Sequence, residues 1–337
     1  MKLIERARRL WPERIGETPA GGRRDDVKAR GALASGLLPD EATIGRLRQF
    51  SLNHGLRPVD GLVGEHRSRR RGAAPEFSDY SPYTPGDDVR RIDWNAYARF
   101  DTLYVRESEV TTELDVHFLA DMSASMNWSG SPERQPKAQM ARRVATMLAW
   151  LALSRTDRVT VTSVADELGE SFGPLQGRAM VVPFAMHLSD RAADGSELIT
   201  DAMQYYARRR SRSGLLFVLT DLIGVSAADL DRSLSTLANE RWQVVLMQIE
   251  DPTEVDPAGL SSSQDVFELE DPESGMRQRV NLHPDIVRRY REGRAAWLEE
   301  LDVVARRRSA PLIRIATDAR LDPDVLLALE RAQVIVS

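Results

Sequence analysis

Apolar residues run almost unbroken through 114–120, as Leu114, Val116, Phe118, Leu119 and Ala120, and again through 215–220 as LLFVLT. Runs of this length bounded by turn-formers suit strands buried in a parallel sheet. Asp115 and His117 alternate at the start of the first run, which predicts that this end lies near solvent. Further strands are expected over 158–164, 242–249 and 312–316. Between them the spacing becomes helical. Over 137–154, Met140, Val144, Met147, Leu148 and Leu151 fall on one face, and over 226–239 Ser226 serves as N-cap while Leu230, Leu234 and Leu237 turn inward. Helices are also expected over 284–308 and 324–332, from Asp40 onward with Ile44, Leu47 and Phe50 on the apolar side, and over 180–188 with an interruption near Pro183. A polar hairpin is expected around 166–169. The stretch Asp271-Pro272-Glu273-Ser274-Gly275 has hairpin turn chemistry between 265–270 and 276–281. Strands alternating with helices imply βαβ units and a mainly parallel sheet.

The first strand runs into Asp121, Ser123 and Ser125, a D-x-S-x-S string with one carboxylate and two hydroxyls at alternate positions. Such hard oxygens suit Mg²⁺, which takes few carboxylates from a protein and keeps several waters. The same string also suits a Ser-rich turn capping a helix. Two further oxygen-bearing stretches bear on the choice. Asp221 ends the LLFVLTD strand. Ser196 follows Gly195 at the head of an amphipathic segment with Leu198, Ala202, Met203 and Tyr206 on one side. In an open α/β sheet, ligands bind outside the carboxyl ends of the strands where the strand order reverses, so the three loops are candidates for one site.

D-x-S-x-S, a later glycine-hydroxyl pair before a helix and a strand-end Thr-Asp resemble the metal-ion-dependent adhesion site of von Willebrand factor A-type domains. The resemblance implies a Rossmann-like α/β fold with helices on both faces of an open, mainly parallel sheet. It also implies Mg²⁺ or Mn²⁺ held by Asp121, Ser123, Ser125, Ser196 and Asp221. Ser196 stands where the family usually has Thr, keeping the hydroxyl without the methyl.

A second block, 64–109, is dense in turn signals and charge around Trp94, Tyr97 and Tyr104. Ile92, Trp94, Phe100, Leu103 and Val105 offer too much apolar surface for a free loop, so an ordered appendage packed on the domain is expected. Glu76-Phe77, Tyr83, Pro85 to Asp88, Arg90, Ile92 to Trp94 and Ala98-Arg99 resemble the string preceding a von Willebrand A-like domain in the prokaryotic domain-of-unknown-function 58 family. The implied organisation is a variable arm over 1–38, a family-specific region over 39–112 and the von Willebrand A-like domain over 113–337. Tyr83, Gly86, Asp87, Asp88, Arg90, Asp93, Trp94 and Arg99 become candidate partner contacts. Members of this family are found beside MoxR-type AAA+ ATPases, which implies such an ATPase as partner.

Composition narrows the chemistry. The chain has 337 residues, a formal net charge of −5 and no cysteine. Thiol catalysis, thiolate metal sites and disulfides are therefore excluded. The acidic balance argues against general nucleic-acid binding. Lysine occurs only at Lys2, Lys28 and Lys137, and the remaining positive charge is Arg, a bias that a GC-rich coding genome explains as well as selection for Arg-carboxylate pairs. No apolar run is long enough for a membrane span, 1–15 is charged rather than signal-like, and a cytoplasmic protein is expected. There is no dinucleotide or P-loop glycine motif, no zinc-ligand histidine spacing and no G-x-S-x-G elbow. The run 66–71, HRSRRR, suits a solvated basic face or a contact for phosphate or an acidic partner. The expectation is a non-enzymatic interaction module whose metal recruits an Asp or Glu of a partner protein. The competing readings are a metal-dependent phosphohydrolase using Asp121 and Asp221, and a metal-free scaffold acting through the PGDD and IDW surface.

Overall fold

The computed structural model describes residues 35–53, 77–83, 92–108, 113–209, 214–257, 266–270, 275–281 and 283–337. The chain divides into two compact units, with the smaller spanning 59–113.

Helix α1 (Glu41–Leu47) starts at Asp40, whose Oδ1 accepts the Thr43 N–H at 2.8 Å, as its sequence predicts. Strand β1 (Ser51–Leu52) follows and pairs antiparallel with the last strand of the chain. Leu47, Phe50 and Leu52 are buried in the core of the larger unit. The boundary placed at residue 39 therefore moves: 39–53 are built into the sheet domain, not into the appendage. Of the arm expected over 1–38 only 35–38 are described, and Leu37 is buried there beside Ala185.

In the smaller unit, β2 (Phe77–Pro82) pairs antiparallel with β3 (Tyr104–Ser108), and α2 (Trp94–Phe100) lies between them in sequence.

The larger unit continues with β4 (Asp115–Asp121), α3 (Lys137–Ser154), β5 (Arg158–Val164), β6 (Phe172–Leu175), α4 (Val181–Ser189) and α5 (Ile199–Arg209). Then come β7 (Leu215–Thr220), α6 (Ala227–Asn239), β8 (Gln243–Glu250), α7 (Pro252–Val255) and the hairpin β9 (Val266–Glu270) and β10 (Arg277–Asn281). The chain closes with α8 (Pro284–Arg307), β11 (Leu312–Ala316), α9 (Leu326–Arg331) and β12 (Ile335–Val336).

Six strands form one sheet in the order β11-β8-β7-β4-β5-β6, parallel except for β6. Counting outward, this is the doubly wound order in which the sheet reverses between its first and fourth strands. Here those strands are β4 and β7. The result is an open, mainly parallel, doubly wound sheet with helices on both faces, as expected from the alternation of strands and helices.

Alternation along the strands builds the two layers. Leu215, Phe217 and Leu219 face one core with Val116, Phe118, Met140, Val144 and Leu148, whereas Leu216 and Val218 face the other with Met203, Leu230, Leu234 and Leu301. Phe118 stacks on Phe217 with ring centroids 5.3 Å apart, clamping the two central strands together.

Three local expectations are corrected. His117 is buried, not near solvent, because its Nδ1 pairs with the Tyr206 hydroxyl at 2.8 Å and its ring meets Trp242. Pro183 does not interrupt α4, since it falls in the first turn, where a missing N–H breaks no helical bond. Leu198, expected on the buried side of α5, precedes the helix and is exposed. The polar hairpin expected around 166–169 is present, by contrast: Val164 bridges Leu168 antiparallel, and the turn joins β5 to β6, an antiparallel edge strand.

Candidate functional site

Because Ala120 pairs with Leu219 across β4 and β7, the next residues, Asp121 and Thr220, emerge side by side at the switch point. The Thr220 hydroxyl donates to Asp121 Oδ2 at 2.7 Å, and the Ser123 N–H donates to Asp121 Oδ1 at 2.8 Å. Asp121, Ser123, Ser125 and Asp221 are all buried, each at 4 % exposure. The Ser123 and Ser125 hydroxyls lie 3.1 Å apart. Burial first, then the neighbouring Asp221 charge, pushes the Asp121 carboxyl up to about 7, against the hydrogen bonds from Thr220 and Ser123. No lysine or arginine among the described residues pairs with it.

The turn leaving β7 is strained. Leu222, a branched residue, sits at φ +59°, a left-handed conformation costing roughly 1–2 kcal/mol. Its N–H donates to the Thr220 hydroxyl at 3.0 Å and its side chain is fully buried, which fixes the turn.

The serine loop is held from the other side by Gly195. Ala124 N–H donates to the Gly195 carbonyl at 2.7 Å, and Gly195 N–H donates to the Met122 carbonyl at 3.0 Å. A Cβ at Gly195 would stand 2.1 Å from the Ala165 carbonyl carbon, so only glycine fits this approach. Ser196 follows on the surface. It is exposed and donates to Asp166 Oδ1 at 3.3 Å, away from the buried serine hydroxyls.

The sequence reading missed Lys137. Its side chain is fully buried, and Nζ donates to Asp221 Oδ2 at 2.8 Å and to Glu254 Oε1 at 2.6 Å. Burial alone would lower its pKa, but the two carboxylates outweigh that and hold it above the ordinary lysine value, so the ammonium stays charged. Burial raises the Glu254 carboxyl even though Lys137 opposes it. Asp221 is further fixed by the Ile223 N–H on Oδ1 at 2.9 Å and by Gln248 Nε2 on its carbonyl at 3.2 Å. One signal for Lys137 was legible: a cation at the first position of a helix opposes the helix dipole.

The arrangement therefore gathers two carboxylates and two hydroxyls at adjacent strand ends, with an ammonium behind one carboxylate. Among the described residues, no group of three or more His, Cys, Asp or Glu side chains is placed to hold a metal ion, so any ion here depends on the hydroxyls.

In the smaller unit, Asp93 is corrected from a surface contact to a structural residue. It is 3 % exposed and caps α2 by accepting the Ala96 N–H at 3.1 Å. Trp94 is exposed, with Tyr97 and Phe100 also exposed along the helix, and Trp94 meets Tyr97 edge to face at 6.3 Å. Arg99 is exposed and Tyr83 half-buried. Gly86, Asp87, Asp88 and Arg90 lie outside the described residues, as does the basic run 66–71. No helix among the described residues is long and apolar enough to cross a membrane.

Residues 79–300 match the family described as protein of unknown function DUF58, and the chain belongs to that family. It is 27% identical over 292 residues to the uncharacterized protein Rv1480 of Mycobacterium tuberculosis, covering 85% of this chain and 89% of that protein. The uncharacterized protein Mb1516 of Mycobacterium bovis matches with the same figures. Among solved structures, BatB from Bacteroides thetaiotaomicron matches with a TM-score of 0.37 at 12% identity over 66% of this chain and 98% of that one. The SpRpn10 VWA domain matches with a TM-score of 0.38 at 12% identity over 64% of this chain and 94% of that one. At these scores the likeness carries no argument, and the fold stands on the strand order described above.

Proposed function

We propose that this DUF58 protein is a non-catalytic protein-protein interaction module whose D-x-S-x-S loop takes one Mg²⁺ or Mn²⁺ ion and, through it, a carboxylate of a partner protein. The observation that carries this reading is the buried Asp121 carboxylate at the switch point, with a second buried carboxylate beside it and no cationic partner among the described residues. A buried charge in that position calls for a counter-ion or a proton.

The donor set fits a hard divalent ion. Asp121, Ser123 and Ser125 would hold it, with Asp221 beside them and Ser196 on the facing loop. Each Asp121 oxygen already accepts one hydrogen bond and retains a further lone pair. When bound, the ion would supply a concentrated positive charge that attracts an Asp or Glu of the partner. The chain's own part is to keep its donors buried and fixed. Thr220, Ser123 N–H and Gly195 do this.

By the family resemblance, the partner is a MoxR-type AAA+ ATPase, and the role that of an adaptor or co-chaperone helping to remodel a client or load it with metal. An enzyme reading needs a general base or a second ion in addition to this donor set. The metal-free scaffold has one observation in its favour, the exposed Trp94, Tyr97 and Phe100 of α2.

Co-expression with the MoxR-type ATPase of the same genome separates these readings. Recovery of the complex with wild type and its loss in Asp121→Ala, at unchanged circular dichroism, is expected. Retention in Asp121→Ala with loss in Trp94→Ala would transfer the function to the smaller unit.

A further inference from the structure

Lys137 stands where four parts of the fold meet. Its ammonium contacts Asp221 at the end of β7 at 2.8 Å, contacts Glu254 in α7 at 2.6 Å, and lies 5.8 Å from the centroid of the Trp128 ring in the loop after the serines. Its own backbone N–H donates to the Trp128 carbonyl at 3.2 Å. A fully buried lysine with two charged partners and an aromatic face has no room to leave. The Asp221 carboxylate is thus gripped at both oxygens, by Lys137 on one and by the Ile223 N–H at 2.9 Å on the other.

Charge is the consequence. Asp121, Asp221 and Glu254 bring three carboxylates to this corner and Lys137 one ammonium, which leaves two negative charges when Asp121 is ionised. That balance matches one divalent cation. With the ion in place the corner is neutral and does not repel an incoming carboxylate. Without the ammonium it would remain negative even when loaded.

We propose that Lys137, held against Asp221 and Glu254, sets the net charge of the cation site, and so its affinity for a divalent ion. The inference rests on the cation-site reading above. It assigns a role to a residue outside the five oxygen donors.

Mn²⁺ titration of the full chain by calorimetry tests it, using Lys137→Met, Glu254→Gln and the double variant, with circular dichroism reporting the fold. Affinity should follow net charge. Lys137→Met is expected to bind Mn²⁺ about tenfold tighter or more, Glu254→Gln about tenfold weaker, and the double variant near wild type, tenfold being about 1.4 kcal/mol. A purely structural lysine would make all the variants bind more weakly, which overturns the proposal. If Lys137→Met does not fold, Glu254→Gln and the double variant still decide: recovery of affinity in the double variant supports the proposal, and a further loss overturns it. If neither wild type nor any variant binds Mn²⁺, the cation-site reading itself is overturned and this inference with it.

Discussion

Thr220→Val tests how the site keeps a buried carboxylate in place. The Thr220 hydroxyl is fully buried and serves two neighbours, donating to Asp121 Oδ2 at 2.7 Å and accepting the Leu222 N–H at 3.0 Å. Valine preserves the shape and removes both bonds. A hydrogen bond to an ionised group is worth about 1.5–3 kcal/mol net, and a buried N–H left unsatisfied costs about 1–3 kcal/mol. Both losses come from one hydroxyl and do not add in full, so a destabilisation of about 3 kcal/mol is expected. Thr220→Ser keeps the hydroxyl and loses one buried methyl, at a cost of about 1 kcal/mol. Urea unfolding followed by circular dichroism at pH 8, above the wild-type Asp121 value of about 7, measures both variants. Serine proving as damaging as valine, or valine costing under about 1 kcal/mol, would refute the claim that this hydroxyl holds Asp121.

Gly195→Ala should destabilise by about 1–3 kcal/mol, because the added Cβ would lie 2.1 Å from the Ala165 carbonyl carbon and force the serine loop off its bridge, as a thermal melt would show. Asp93→Ala should remove about 1 kcal/mol of capping from α2, seen as faster hydrogen exchange at the Ala96 amide with β4 amides unchanged. The Arg308 hydrogen bonds, opposed by partial burial and joined by those of Arg307, hold the Asp231 carboxyl well below the usual carboxylate range. A folded-state pKa below the unfolded one gives stability that is present above about pH 4 and drains as pH falls. The melting-temperature gap between wild type and Arg308→Ala should therefore be full at pH 7, corresponding to no more than about 1 kcal/mol for this partly exposed pair, and narrow progressively as pH falls below about 4.

The sheet was legible because its strands are nearly uninterrupted apolar runs and its helices keep a clean period, as 137–154 shows. Caps were legible too, since Asp40 and Ser226 each use a local hydroxyl or carboxylate on an N–H three residues ahead. β6 was not, because four residues reading Phe-Gly-Pro-Leu carry no alternation and contain both strand-breaking residue types. His117 was misread because what buries it, Tyr206 and Trp242, lies far along the chain. The candidate site divides in the same way. The spacing of Asp121, Ser123 and Ser125 is local and visible, whereas Lys137 meets partners 84 and 117 residues away and announces itself only as a lone lysine at a helix start.

Thermal unfolding of wild type and Asp121→Ala, with and without Mn²⁺, bears most directly on the cation site. An ion at about 100 times its dissociation constant should add roughly 2.7 kcal/mol to the folded state. The expected result is a clear rise in wild-type melting temperature that is absent in Asp121→Ala. No rise in wild type at millimolar Mn²⁺, or an equal rise in both proteins, would contradict the account.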